Sequence, residues 1–173
     1  MKKILSLALC ALMSVAVFVG CSSGDADSNA NSDASSSVAD TVKDVSAKEV
    51  VDTIMKAGEW PMLQPIEDNA MLKEYMLIDA ESPDFEEVYA VRPMMSGVIS
   101  EVIVIKAVDG KIDAAKSALE ARKEKLVSTD AFYPEHKEFA ENAVIETVGN
   151  YAILICHEKT DEGLKAAQDF LNN

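Results

Sequence analysis

Two short stretches constrain the fold more than any other part of the chain: EVIVIKAV, residues 101–108, and YAILIC, residues 151–156. Successive side chains of a strand point to opposite faces of a sheet. Val102 and Val104 therefore face one side while Ile103, Ile105 and Ala107 face the other, and both sides are apolar. YAILIC is likewise apolar on both sides. Strands that read this way are buried on both faces. Either the N-terminal helices cover the second face or a partner does. The N-terminal helices need a surface to bury against, which favours the first arrangement.

The elements around these strands can be placed from local signals. Ser46-Ala47-Lys48-Glu49 fits a capping box. Ala47, Val50, Val51, Ile54 and Met55 then recur at helical spacing up to Gly58. WPMLQP, residues 60–65, reads as a loop with two prolines. Asn69 is placed to cap a second short helix with Met71, Leu72, Tyr75 and Met76 on its apolar side. Two similar passes follow. In the first, strands span 85–91 and 98–108 with a turn at Ser96-Gly97, and a helix spans 111–126. In the second, strands over 143–148 and 151–157 meet at Gly149-Asn150, a pair suited to a tight hairpin, and a helix runs over about 160–171. Pro134 opens a short helix between the passes. The expected fold is α+β: an antiparallel sheet of about four strands in two ββα passes, with two N-terminal helices packed on it.

The N-terminus carries an address. Lys2 and Lys3 precede an uncharged, mostly apolar run from Ile4 to Gly20, which ends abruptly at Cys21. A basic end, a short apolar core and a small residue at the cleavage point make a secretory signal. The run is marginal for a spanning helix, which needs about 20 apolar residues. Phe18-Val19-Gly20-Cys21 resembles the lipobox of bacterial lipoproteins, in which cleavage after the glycine leaves a diacylated cysteine as the first residue. One acyl chain anchors marginally and two hold firmly, so this lipid would keep the protein on the outer face of a membrane. The expected organisation is a signal peptide over 1–20, lipidated Cys21 with a disordered tether over 21–44, and one globular domain over 45–173. The tether, rich in Ser, Asp, Asn and Ala, has almost nothing with which to build a core.

Charge and cysteine content narrow the partners. The net charge is −14, and loss of Lys2 and Lys3 with the signal makes the mature chain more acidic still. Phosphate backbones repel such a surface, which excludes nucleic acid, and anionic headgroups repel it too, leaving contact with the bilayer to the Cys21 lipid. Aromatic residues are only 6%, so the core is aliphatic. Of the three cysteines, Cys10 leaves with the signal, Cys21 takes the lipid and Cys156 remains, so no disulfide forms within the mature chain.

The residues that could carry chemistry form no constellation. Cys156 and His157 are neighbours in a strand, point to opposite faces and cannot pair; Cys156 reads as a small core residue. His136 is the other histidine. No catalytic, metal-ligating or cofactor-binding residues are assigned. The acidic run Asp79, Glu81, Asp84, Glu86 and Glu87 reads as a solvated loop rather than a calcium site. Asp109-Gly110-Lys111 reads as a strand-to-helix turn. Arg122, Lys123 and Lys125 sit late in a helix, where positive charge suits the macrodipole. Trp60 and Met62, in the proline-flanked loop, are a weak candidate contact surface, with capping of the core edge as the alternative.

AKEVVDTI at 47–54, IVIKAVDGKID at 103–113 with LEAR at 119–122, the turn Tyr133-Pro134-Glu135, and Gly149-Asn150-Tyr151 occur here in order. Together they resemble an uncharacterised family of small lipoproteins from Gram-positive bacteria, a domain of unknown function (four-three-five-eight). The resemblance covers about 45–170. It implies a lipid-anchored domain outside the cell and no activity or site residues. The functional expectation is a non-enzymatic binding module of the cell envelope, engaging a protein partner or a small extracellular ligand. Alternatives are a small-ligand-capturing lipoprotein serving a transporter, or an envelope enzyme using carboxylates alone.

Overall fold

The computed structural model describes residues 42–95 and 97–173; the signal, Gly20, Cys21, most of the tether and Ser96 lie outside the described residues. The elements run α1 (Ala47–Lys56), β1 (Leu63–Pro65), β2 (Phe85–Pro93), β3 (Glu101–Ala107), α2 (Ile112–Lys125), α3 (Pro134–Glu141), β4 (Val144–Val148), β5 (Tyr151–Cys156) and α4 (Asp161–Asn172). All strand pairs are antiparallel, in the order β1-β2-β3-β5-β4. β3 and β5 therefore lie side by side in the interior of the sheet, and both their faces are covered, as their unbroken apolar runs require.

The two faces have separate cores. On the first, Ile103, Ile105, Ala152, Leu154 and Cys156 pack under Ala115 and Leu119 of α2 and under Leu72, Met76 and Ile78. On the second, Val102, Val104, Ile153 and Ile155 pack under Val50, Val51 and Ile54 of α1 and Ala167 and Leu171 of α4. α1 starts with the expected capping box: Ser46 Oγ accepts from Glu49 N, and Glu49 Oε2 accepts from Ser46 N at 3.0 Å. α1 and α4 come close at Gly163, where a Cβ would stand 3.0 Å from Ile54 Cγ2.

The structure corrects the expected fold in three places. The sheet has five strands, not about four, because Leu63-Gln64-Pro65 of the supposed loop pairs with Val91–Pro93. A three-residue edge strand ending in proline is too short to show alternation. The second N-terminal helix is a single π-turn, Met71–Tyr75, and it lies on the opposite face from α1. Asn69 does not cap it; Asp68 Oδ1 accepts from Ala70 N at 2.8 Å instead. Finally, the helices of the two ββα passes lie on opposite faces, so the second face is covered by α1 and α4 together.

Residues 42–45, assigned from sequence mostly to the tether, lie against the domain. Lys43 N donates to Leu171 O at 2.8 Å, and the Tyr151 hydroxyl accepts from Val45 N at 2.8 Å while donating to Val45 O at 2.6 Å. Gly149 closes the β4–β5 hairpin with φ of +55°, and Val42 packs on it so closely that a Cβ would meet Val42 Cγ2 at 2.9 Å.

Candidate functional site

Polar side chains gather at one end of the sheet, where β2 and β5 finish and β3 begins. The pairing of Val91 with Val102 brings the next residue, Arg92, beside Glu101, and Glu101 pairs with Cys156. Gln64 pairs with Arg92 from the other side. All four occupy one row of the first face. Onto this row α2 lowers Arg122, which is 1% exposed. Its Nε donates to Glu101 Oε1 at 2.7 Å, its Nη2 to Glu101 Oε2 at 2.8 Å and its Nη1 to Asp130 Oδ2 at 2.7 Å. Burial lowers the Arg122 pKa, but its bonds to Glu101 and Asp130 outweigh that and hold it above the usual arginine value. A guanidinium with its fork filled by carboxylates is a stable buried charge; without them it is a costly one.

Tyr75 is the hub of the cluster. The cationic groups of Arg92, Arg122 and Lys125 lie 4.5, 5.3 and 4.2 Å from its ring centroid. Lys125 Nζ also donates to the Tyr75 carbonyl. Three cations thus surround one ring in a chain of net charge −14, and two carboxylates answer them. Both oxygens of Glu101 go to Arg122, so Arg92 stands beside a carboxylate that is already engaged. Among the described residues no carboxylate pairs with Arg92; its polar contact is the Tyr75 hydroxyl at 3.5 Å.

Reading Arg122, Lys123 and Lys125 as macrodipole charges therefore misses what they touch. The chain does not fray after Lys125 but continues as a π-turn over Leu126–Asp130, which carries Asp130 to Arg122. Lys123 Nζ donates to Ala143 O at 2.6 Å. One signal was available in the sequence: Ala115, Leu119, Arg122 and Leu126 share one helical stripe, with the arginine in an apolar position.

The second face of the same end holds Trp60, His157 and Ser100. Trp60 stacks on His157 with centroids 4.5 Å apart, and its Nε1 is buried without a hydrogen-bond partner. His157 Nε2 lies 3.0 Å from the Glu59 carbonyl, an acceptor, so Nε2 donates there, and its Nδ1 shares a hydrogen bond with Ser100 Oγ at 3.2 Å. This has the order of a nucleophile, base and orienting group, but Ser100 is only 1% exposed, which makes the pair a structural pin. A cleft of about 500 Å³ opens beside it, lined by Gly58, Glu59, Trp60, His157, Lys159 and Glu162.

Cys156 points to the first face, away from His157. Its thiol is pushed up to about 12, by burial first and then by the Glu101 carboxylate, so it is no nucleophile near neutral pH. His136 stands edge-on to Tyr133 with centroids 5.2 Å apart, on α3. The acidic run is dispersed among partners: Asp79 meets Lys73 at 2.6 Å, Asp84 meets Lys111 at 3.0 Å, Glu86 meets Lys106 at 3.0 Å, and Glu87 Oε2 accepts from Ala47 N at 2.8 Å. The Lys73 hydrogen bond holds Asp79 below its ordinary pKa. Among the described residues no group of three or more His, Cys, Asp or Glu is placed to hold a metal ion.

At the tip of this end lies an apolar surface. Met62 is 79% exposed, and Met94 and Met95 are 77% and 70% exposed. Leu63 pairs with Pro93, so Met62 and Met94 extend from adjacent strands. The two residues suggested together from sequence therefore part company: Met62 joins these methionines in solvent, while Trp60 is half-buried against the second core. Below Met94 a groove of about 230 Å³ is lined by Gln64, Pro65, Ile66, Met71, Pro93 and Arg92. Reading along the chain did not join Met62 to Met94 and Met95, because only the β1–β2 pairing brings them together.

No helix among the described residues is long and apolar enough to cross a membrane. No curated protein and no solved structure matches the chain. A family described as a domain of unknown function, DUF4358, matches residues 56–157. That span is narrower than the 45–170 suggested by the motifs, yet it takes in all five strands, the Arg122 cluster and the methionine tip. On that match, over more than half of its length, the chain belongs to the DUF4358 family, a domain of unknown function.

Proposed function

We propose that this protein is a lipid-anchored, extracytoplasmic binding module that engages another protein through the methionine-lined end of its sheet. The observation that carries the reading is that Met62, Met94 and Met95, each at least 70% exposed, flank the paired ends of β1 and β2 at one end of the sheet. Exposed apolar groups gathered in one place mark interaction surfaces. Methionine suits that role because its unbranched thioether adapts to an irregular partner. The buried Arg122–Glu101–Asp130 cluster supports the scaffold from behind. The anchor rests on Lys2, Lys3, Gly20 and Cys21, and the acidic surface disfavours nucleic acid as the partner.

Two experiments test this. A photo-reactive phenylalanine at position 95 should give one discrete cross-linked product on intact cells, and the same group at Lys165, 73% exposed on α4, should not. Equal labelling from both positions would refute a dedicated face. For the anchor, Cys21→Ser should abolish incorporation of a labelled fatty acid and release the protein from membranes. Retention of either property would refute lipidation at Cys21.

A second reading, capture of a small extracellular ligand, draws on the cleft beside Trp60 and His157. Its volume of about 500 Å³ falls within the roughly 300–1,000 Å³ usual for ligand sites. A thermal-shift screen with sugars, amino acids and cell-wall fragments tests it. A shift lost in Trp60→Ala would favour capture over the protein-binding reading.

A further inference from the structure

We propose that the groove beside Arg92 receives the C-terminal residue of a partner chain, with the terminal carboxylate on the Arg92 guanidinium and an aliphatic side chain against Ile66, Met71 and Met94. This rests on the protein-binding reading above and names the chemistry the partner brings. Three observations converge. Arg92 is a half-buried cation with no carboxylate partner among the described residues, although it stands beside Glu101, because Arg122 takes both Glu101 oxygens. The local balance of three cations around Tyr75 against two carboxylates leaves one positive charge unanswered, in a chain of net charge −14. The groove pairs polar groups, Arg92 and Gln64, with an apolar wall of Pro65, Ile66, Met71, Pro93 and Met94, and at about 230 Å³ it is smaller than a usual small-molecule site.

Charge complementarity selects the occupant. An arginine fork matches a carboxylate with two parallel bonds, and stacking on Tyr75 holds this fork in place. A chain terminus presents a carboxylate and a side chain from the same Cα, so the two can enter one small groove together. A carboxylate on a Glu side chain is displaced along the chain from the neighbouring apolar group. A purely apolar anchor would leave the cation unanswered.

The test uses the full chain in nanodiscs, labelled with 13C at the methionine methyls. Met71 and Met94 report on the groove and Met76, which is buried in the core, reports on the fold. The probes are acetyl-Ala-Ala-Leu with a free carboxylate, its C-terminal amide, and acetyl-Ala-Glu-Leu-amide. The free-acid peptide should shift Met71 and Met94 and bind about tenfold or more tightly than either amide, as expected for a charge-assisted pair. Arg92→Gln should erase that preference while leaving Met76 in place. Equal binding of acid and amide would overturn carboxylate recognition and leave the methionine face standing. A tie between the free acid and the Glu-containing amide would overturn the choice of a chain terminus. Shifts at Met55 in place of Met71 and Met94, or none with any peptide, would overturn the site itself. Failure of the broader reading shows separately, as equal cross-linking from positions 95 and 165.

Discussion

Replacing Glu101 with alanine strands the Arg122 guanidinium in the first core. Arg122 is 1% exposed and Glu101 3%, and two of the three carboxylate bonds to the guanidinium, at 2.7 and 2.8 Å, come from Glu101. Asp130 retains one bond, to Nη1, while Nε and Nη2 lose theirs. Breaking a buried pair by removing one partner costs about 3–5 kcal/mol, mostly the desolvation of the charge left behind. With a urea dependence of about 2 kcal/mol per molar, the unfolding midpoint should fall by about 2 M. The exposed Lys165–Asp169 pair is the control, and its removal should leave the midpoint nearly in place. Arg122→Met combined with Glu101→Leu should recover much of the loss, since neither charge is then stranded. The assay is urea unfolding of the three variants and the parent at neutral pH. A loss below about 1 kcal/mol for Glu101→Ala, the range of a solvated surface pair, would refute a dry cluster at this end of the sheet.

Three further outcomes can be stated. Leu77 has φ of +63° and is 47% exposed just after the π-turn; Leu77→Gly should relieve that strain and stabilise the fold by about 0.5–1 kcal/mol in thermal unfolding. Gly149→Ala should cost at least about 1–2 kcal/mol from its positive φ alone, and more because the new methyl meets Val42 at 2.9 Å; an unchanged melting temperature would contradict the hairpin geometry. The Cys156 thiol ionises at its ordinary 9.0 in the unfolded chain and at about 12 in the folded one. Above pH 9 the unfolded state therefore sheds its proton first, so stability is intact below that pH and falls as pH rises toward 12. Cys156→Ala should flatten this alkaline decline in urea unfolding, and an identical decline in both proteins would show that the thiol is not buried.

Sequence and structure agree where the deciding contacts are local. The Ser46–Glu49 capping box lies within one turn, Gly149-Asn150 closes a two-residue hairpin, and Pro134 begins α3. The unbroken apolar runs of β3 and β5 announced burial on both faces because that demand is written at every position. β1 escaped notice for the opposite reason: Leu63-Gln64-Pro65 has little intrinsic strand character and is a strand only because β2 offers it an edge. The Arg122 cluster was half legible. The arginine in an apolar helical stripe and the Glu101 at the head of a buried strand are both visible in the sequence, but 21 residues separate them.

Chain chemistry alone thus determined the acidity, the aliphatic core and the choice of an antiparallel α+β sheet, since each depends on composition or on short-range periodicity. Tertiary structure decided which face each helix covers, that both Glu101 oxygens go to Arg122 while no carboxylate among the described residues pairs with Arg92, and that Met62 and Met94 extend from adjacent strands. These follow from strand register and helix placement. A side chain's electrostatic partner is set by distance in space, and that distance exists only once the sheet has closed.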